Sequence, residues 1–393
     1  MRGGMVMKIG IYGGTFNPPH MGHVKAAGDA VKALELDRLL VIPTAQPPHK
    51  ELPEASATAE QRLEMARLAF AGVKNAQVCD IELRRGGRSY TADTVAELKR
   101  EYPGADFWLV MGGDMFLSIT QWYHAAELMR ELGLAVSDRA DESGKILAAA
   151  DGLREKYGAR VEFIPDRPIE ISSTELREKL KNASGREFLQ PDVYAYIIKN
   201  RLYGERAELG WLREEAQKML DPRRVPHVLG CEQEAVRLAE RWGADVYSAA
   251  AAGILHDITK RCNKNEQLIL CEKYGTVTDT LELENPKLLH AKTGADVAWH
   301  EFGVSPEIRE AIKWHTTGRE NMSLLEKIIY LADYIEPNRH FDGLEELRRL
   351  AYEDLNRAMA RGLEMSLEDM RENGITPHPD SIRALECIQK DMA

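Results

Sequence analysis

KIGIYGGTFNPPHMGH (8–23) decides how the first half of the chain is read. Its short apolar run, KIGIY (8–12), reads as a buried strand, two glycines follow at once, and the next segment opens a helix. Gly13 and Gly14 are expected to let the backbone turn sharply and approach a ligand with no Cβ in the way. The helix start behind them offers free N–H groups and a positive dipole end to a phosphate. His20 and His23, three residues apart, fall on one side of the first helical turn, where imidazoles can hydrogen-bond phosphate oxygens and stabilise a leaving group's charge. A turn with two surface histidines is the simpler alternative for either residue alone. It accounts poorly for Gly-Gly, Pro-Pro and two histidines packed into GGTFNPPHMGH (13–23). Neither GxxxxGK[ST] nor GxGxxG occurs there, which disfavours a Walker-type NTPase and a standard dinucleotide-binding dehydrogenase.

Outward from this segment, further strand candidates are RLLVIP (38–43), AQVCD (76–80), DFWLVMG (106–112), GLAVS (133–137) and RVEFIP (160–165). Helical stretches such as AEQRLEMARLAF (59–70) and TADTVAELKREY (91–102) lie between them. The alternation predicts an α/β, Rossmann-like domain: a parallel sheet covered by helices on both faces, with ligands at the carboxyl ends of its strands. From about 205 the strands vanish. Amphipathic helices are expected over 208–220, 227–242, 245–258, 264–273, 290–302, 305–315, 322–336, 344–363 and 378–391, making the second half an all-α bundle. The texture changes within NRLYGERAELG (200–210), so the expected domains are 1–205 and 206–393. No Gly/Ser linker, internal repeat or low-complexity tract is present.

The 393 residues are 44% hydrophobic and 29% charged, which excludes disorder as the main state. A net charge of −11 argues against a broad nucleic-acid surface, although a local site can still bind a small anion. No apolar run approaches the roughly 20 residues that span a bilayer, and the apolar stretch at the start is too short for a signal peptide. The five cysteines (Cys79, Cys231, Cys262, Cys271, Cys387) are scattered and form no CxxC. Reduced thiols and a cytoplasmic location are therefore expected, rather than disulfides or a zinc knuckle.

ISSTELREKL (171–180) is a second anion-suited segment. Ser172 and Glu175 form an S-x-x-E capping box, and a well-capped helix is all that this pair requires. Ser173 and Thr174 add hydroxyls beside the same terminus, and Arg177 sits one turn in, able to fork onto a phosphate. The two segments together resemble the T/HxGH and ISSTxxR signatures of the nucleotidylyltransferase superfamily. More narrowly, residues 8–204 resemble bacterial nicotinate-nucleotide adenylyltransferases, through GGTFNPPHMGH (13–23), PTAQPPHK (43–50), RRGGRSYTADT (84–94), MGGDMF (111–116) with Trp122, and ISSTELR (171–177). Asn17 departs from the aspartate that many relatives carry; no change of chemistry is expected from it.

The resemblance implies in-line attack of the phosphate of nicotinic acid mononucleotide on the α-phosphorus of ATP, giving deamido-NAD and pyrophosphate. Positioning and charge stabilisation would do the work, with Mg²⁺ held mainly by phosphates and water. By the same resemblance, His20, His23, Lys50 and Arg177 act on the triphosphate. Gly13, Gly14, Thr15, Phe16, Gly112, Asp114 and the Ile171, Ser172, Ser173, Thr174 segment line the ATP. Ser89, Tyr90, Thr91 and Trp122 hold the mononucleotide, and main-chain N–H groups of the 88–91 turn read its carboxylate.

In the second half, GILHDITK (253–260) places His256 and Asp257 at the end of an apolar helix, where buried charges need a partner such as a metal. A surface His-Asp pair is the simpler alternative. Lys260 is expected to share the face of His256 and meet a phosphate. RRVPHVLGC (223–231), ENPKLLHAKTGA (284–295), IKWHTTG (312–318) and YLADYIEPNR (330–339) each set an imidazole or carboxylate in a mostly apolar helical segment. Together these strings resemble the HD phosphohydrolase superfamily, and over about 208–390 its bacterial symmetrical diadenosine-tetraphosphate hydrolases. The resemblance implies His227, His256, Asp257, His290, His315 and Asp333 as ligands of two divalent metals (iron, with manganese or zinc as alternatives), bridged by Asp257. It also implies Thr316, Lys260 and Arg339 as phosphate contacts, and His300, His340 and His378 as structural or surface residues. The implied reaction hydrolyses a phosphoanhydride of diadenosine tetraphosphate to two ADP.

One alternative makes the helical half a regulatory nucleotide-binding module, or a hydrolase of another nucleotide; the intact ligand set argues against pure regulation. Another is a phosphopantetheine or cytidylyl transferase, against which RSYTADT (88–94) and the MGGD string stand. The expected partners are these nucleotides, with no nucleic acid and no membrane; assembly into a homo-oligomer is left open.

Overall fold

The apolar runs of the first half become six strands: β1 (Lys8–Gly14), β2 (Arg38–Pro43), β3 (Ala76–Val78), β4 (Asp106–Gly112), β5 (Gly133–Ser137) and β6 (Arg160–Ile164). They form one parallel sheet in the order β3-β2-β1-β4-β5-β6. The structure is a computed structural model and describes residues 6–47, 51–53, 56–137, 143–165, 169, 171–204 and 206–392. The chain divides into two compact units, 1–204 and 205–393.

The helices of the first unit are α1 (Met21–Ala33), α2 (Ala59–Phe70), α3 (Ile81–Arg85), α4 (Thr91–Glu101), α5 (Gly113–Ser118), α6 (Ala125–Glu131), α7 (Ser143–Tyr157), α8 (Ser173–Lys181) and α9 (Pro191–Lys199). Ile9, Ile11, Leu40, Leu109 and Leu134 are buried in the sheet, as strands covered on both faces require. Strand order reverses between β1 and β4, and ligands of such sheets bind at that switch. The register opens the crevice: β1 pairs with β2 as far as Gly14↔Pro43, but with β4 only as far as Ile11↔Leu109. The carboxyl ends of β1 and β4 therefore part.

One expectation for this unit changes. Gly13 and Gly14 are the last residues of β1 and have no positive φ; the left-handed residue is Phe16, with φ of 50°. The glycines serve by lacking side chains. A Cβ on Gly13 would meet nothing within 4 Å, and one on Gly14 would lie 3.0 Å from the Phe16 ring.

The second unit is helical: α10 (Leu209–Met219), α11 (Val225–Trp242), α12 (Val246–Leu255), α13 (Lys264–Tyr274), α14 (Thr280–Glu284), α15 (Pro286–Glu301), α16 (Pro306–Trp314), α17 (Leu324–Ile335), α18 (Leu344–Glu353), α19 (Leu355–Glu372) and α20 (Pro379–Met392). Pro226, Pro286 and Pro306 sit in first turns rather than breaking helices, because the missing N–H is unpaired there anyway. Small residues bring α11 and α12 together: a Cβ on Gly253 would lie 2.8 Å from the Glu232 Cα. The single helix expected over 344–363 is two. Asp354 leaves the helical region at φ −152° and its side chain accepts the Arg357 N–H, starting α19 afresh. The helix expected over 245–258 ends at Leu255, and His256 caps it.

Candidate active site and metal centre

At the switch between β1 and β4 lies a cavity of about 480 Å³. Gly13, Gly14, Thr15 and Phe16 line it from the end of β1, Gly112 and Asp114 from the end of β4, and His20 and His23 from the start of α1. Ile171, Ser172, Ser173, Thr174 and Arg177 close it from the start of α8. Lys50 lies outside the described residues.

His20 is the N-cap of α1, and its N–H donates to His23 Nδ1 at 3.1 Å. That bond needs an unprotonated Nδ1, which leaves the proton on His23 Nε2. Burial, then the adjacent His20 ring with its centroid 3.7 Å away, holds the His23 pKa well below the ordinary imidazole value. Main-chain donors complete this end of the cavity: among the described residues, the N–H groups of Met21 and Gly22 have no acceptor, as first-turn positions allow.

At α8 the plain capping box is present. Glu175 Oε2 accepts from the Ser172 N–H at 2.8 Å and its hydroxyl at 2.7 Å. The neighbouring groups latch α8 to the loop after β1. Ser173 Oγ donates to the Pro18 carbonyl at 3.0 Å, and Arg177 donates to the Asn17 carbonyl at 2.8 Å and to Thr174 Oγ1 at 3.2 Å. Asn17 uses both ends of its amide, donating to Ser56 Oγ at 2.9 Å and accepting from the Tyr203 hydroxyl at 2.6 Å.

A second cavity of about 330 Å³ shares Gly13, Gly14 and Thr15 with the first and is lined by Ser89, Tyr90, Thr91 and Trp122. The loop after β2 fixes this wall: Ala45 N–H donates to Ser89 Oγ at 3.1 Å, and Ser89 N–H to the Gln46 carbonyl at 3.0 Å. The N–H groups of Thr91 and Ala92, at the start of α4, have no acceptor among the described residues. Sequence reasoning missed Tyr123, whose ring packs 5.0 Å from Tyr90 on the same cavity. It also missed Glu82, a buried carboxyl on the cavity wall that accepts from the Thr94 hydroxyl at 2.9 Å. Burial pushes the Glu82 pKa up.

In the second unit, helix ends converge. His227 lies in the first turn of α11 and His290 in the second turn of α15; His256 and Asp257 follow α12, His315 caps α16, and Asp333 lies in the last turn of α17. Each imidazole is oriented through Nδ1. His256 bonds the Gly253 carbonyl at 2.8 Å, His290 that of Lys287 at 2.6 Å and His315 that of Ile312 at 2.6 Å, while His227 meets Glu336 Oε1 at 3.1 Å. These partners orient each ring and turn its Nε2 inward.

The inward atoms form two sets on either side of one carboxylate. Asp257 Oδ2 lies 3.5 Å from His256 Nε2 and 3.7 Å from His227 Nε2, and Asp333 Oδ1 is 3.1 Å from His227 Nε2. Asp257 Oδ1 lies 3.1 Å from His290 Nε2 and 3.8 Å from His315 Nε2. His256 and Asp257 are 0% exposed, which rules out the surface-pair alternative. Asp257 Oδ1 accepts no hydrogen bond, and the His227–His256 and His290–His315 Nε2 pairs approach to 3.3 and 3.1 Å. Inward Nε2 atoms around a carboxylate oxygen that accepts no hydrogen bond fit divalent cations.

Burial raises the cost of charge on Asp257, but His256, His290 and Lys260 outweigh it and hold its pKa well below the usual carboxylate range. Burial, followed by the neighbouring His256 and His290, pushes His315 down to about 3. Three cations rim the cluster. Arg224 contacts Asp257 Oδ2, Lys260 Nζ is 3.3 Å from Asp257 Oδ1, and Arg339 donates to Asp333 Oδ1 at 2.8 Å. Thr316 Oγ1 is 3.3 Å from His315 Nε2.

Sequence reasoning missed Arg224 and Glu336. Gly230 leaves room for the second: a Cβ there would lie 2.3 Å from Glu336 Oε2 and would push that carboxylate aside. His378, expected to be structural, is buried and bonds Asp279 Oδ2 at 2.8 Å.

The cytidylyltransferase-like family matches residues 11–179, and the HD domain matches residues 224–338. The probable nicotinate-nucleotide adenylyltransferase of Gemmatimonas aurantiaca is 37% identical over 51% of this chain and 93% of its own length. That of Shouchella clausii is 38% identical over 51% of this chain and 99% of its own. A Clostridium acetobutylicum crystal structure, described as a predicted HD superfamily hydrolase involved in NAD metabolism, is 36% identical over 46% of this chain and 97% of that one, with a TM-score of 0.45. Through its first half the chain belongs to the nicotinate-nucleotide adenylyltransferase family, and its helical second half carries a region that matches the HD domain.

Proposed function

We propose that the chain is a bifunctional nucleotide enzyme. Its first unit transfers the adenylyl group of ATP to nicotinic acid mononucleotide, releasing pyrophosphate. The carrying observation is the convergence of His20, His23 and Arg177 on a cavity that joins the one walled by Ser89, Tyr90, Thr91 and Trp122. His23 Nε2–H, the α1 main-chain N–H groups and Arg177 are donors suited to the triphosphate, whose Mg²⁺ travels with the substrate. Trp122 offers a face to the pyridine, and the open N–H groups of Thr91 and Ala92 suit its carboxylate.

The second unit hydrolyses diadenosine tetraphosphate symmetrically to two ADP. The carrying observation is the two-faced Asp257, with His227, His256 and Asp333 on one side and His290 and His315 on the other. His227, His256, Asp257, His290, His315 and Asp333 would hold two divalent ions (iron, manganese or zinc), which would supply a water of lowered pKa and positive charge for the phosphoanhydride oxygens. Lys260, Arg339, Thr316 and Arg224 stand at the rim with the charge and hydroxyl that orient a polyphosphate.

The test of the first activity compares kcat/KM for nicotinic acid mononucleotide and nicotinamide mononucleotide with ATP. An amide presents its NH₂ to N–H donors and leaves them unpaired, at a cost of ~1–3 kcal/mol, so the acid is expected to be preferred. Equal values contradict the assignment. The second activity is tested by product analysis with diadenosine tetraphosphate: ADP alone is expected, and AMP with ATP contradicts symmetrical cleavage.

A further inference from the structure

Arg62, on α2, is 1% exposed in the interior of the first unit. Its guanidinium serves main-chain carbonyls from two loops. It donates to Thr15 O at 2.8 Å, just past β1, and to Thr44 O at 2.6 Å and Ala45 O at 3.0 Å, just past β2. Among the described residues no carboxylate pairs with it directly, and the charge of Glu60 acting on it does not offset burial. That is a costly arrangement for a residue that only fills space.

The geometry of the peptide unit gives this charge a use. In a trans peptide the C=O and the following N–H point in opposite directions. Thr44 O faces Arg62, and the Ala45 N–H accordingly points away from it, to Ser89 Oγ at 3.1 Å on the wall of the second cavity. Thr15 O faces Arg62 too, so the Phe16 N–H also points away. Among the described residues it has no acceptor. Phe16 holds the left-handed φ of 50°, uncommon for a bulky residue and sustained only where the surroundings over-determine it. The clamp on the preceding carbonyl is one such determinant. Packing of the Phe16 ring against Tyr12, His23 and Phe70 is another.

We propose that Arg62 is a positioning residue for adenylyl transfer: it clamps the loops after β1 and β2, aims the Phe16 N–H at a substrate phosphate, and has its buried charge balanced by the bound polyphosphate. The inference rests on the adenylyltransferase reading of the first unit. Three carbonyls turned toward one guanidinium also explain why an arginine serves here, since its planar fork reaches several acceptors while an ammonium is a point donor.

The test uses the full chain with Arg62→Lys, which keeps the charge and loses the fork. kcat for adenylyl transfer should fall about 100-fold, as expected for slight misplacement of reacting groups, with KM for both substrates changed far less. Arg62→Met, which removes the charge as well, should additionally raise KM for ATP. Should either variant fold poorly, the wild type supplies a second measurement. With the 8 phenylalanines labelled with ¹⁵N, the Phe16 amide, assigned by its absence in Phe16→Leu, should shift downfield when Mg-ATP is added alone. A folded Arg62→Lys with wild-type kcat, or a Phe16 amide unmoved at saturating ATP, overturns the proposal. Wild-type protein that forms no deamido-NAD overturns the adenylyltransferase reading instead, so the two failures are distinguishable.

Discussion

The first unit presents donors of both kinds to its cavities, main-chain N–H groups at the starts of α1 and α4 and the side chains of His20, His23 and Arg177. The second builds its centre from side chains alone, four imidazoles and two carboxylates carried by helix ends. On the proposed functions, the difference follows from the charge each site would hold. An anion is met by N–H dipoles that the backbone supplies at helix starts without regard to side chain. Cations need lone pairs, and only particular side chains in fixed tautomers provide those. The first site should therefore spread its binding over many groups, while the second should fail when one ligand is lost.

The sharpest way to break this contrast is Asp257→Ala. Its two oxygens face the two imidazole sets, so its loss should lower metal affinity more than about 100-fold, beyond the range seen for residues that merely orient ligands. Elemental analysis of the purified variant checks this; full metal occupancy would show that Asp257 is not a shared ligand. Adenylyl transfer should stay at the wild-type rate.

Glu336→Gln is a gentler probe of the same centre. It removes the carboxylate that fixes His227 Nδ1 at 3.1 Å but keeps an oxygen acceptor, so metal affinity should fall about 10-fold. Titration with Mn²⁺ of the stripped protein reads this directly, and an unchanged affinity would mean that packing alone orients His227.

The smallest effect concerns pH. His23 has a folded-state pKa well below the ordinary 6.5, so below that pH the unfolded chain binds a proton that the folded chain refuses. The first unit should lose stability as pH falls through and below 6.5. In His23→Gln the glutamine can still cap the His20 N–H but does not titrate. Melting curves of the two proteins should diverge on acidification, the variant losing less, whereas parallel curves would place the acid sensitivity elsewhere.

Much of both sites was legible because their chemistry sits in contiguous strings at helix boundaries. GGTFNPPHMGH and ISSTELR each contain a complete first turn, and the His256–Asp257 pair stands out against the apolar α12. What stayed hidden are partners distant in sequence. Arg224 reaches Asp257 across 33 residues, Arg62 reaches Thr15 across 47, and Tyr203 reaches Asn17 across 186, so no local spacing encodes them. Helix periodicity ran 344–363 together because the apolar stripe continues in phase, while Asp354, able to start a new helix, reads equally well as a surface acid. The glycines at the end of β1 suggested a turn from residue type alone, but the turn fell on Phe16, where Arg62 and aromatic packing hold it.

The central claim is that one chain carries two chemically independent sites, one built on main-chain and side-chain donors and one on metal ligands. It is tested most directly by stripping the full chain with a chelator, removing the chelator, and assaying both reactions with Mg²⁺ added only as Mg-ATP for the first. The account predicts full adenylyl transfer to nicotinic acid mononucleotide, no hydrolysis of diadenosine tetraphosphate, and return of hydrolysis on adding Fe²⁺, Mn²⁺ or Zn²⁺. Loss of both activities together, or hydrolysis that survives stripping, would contradict it.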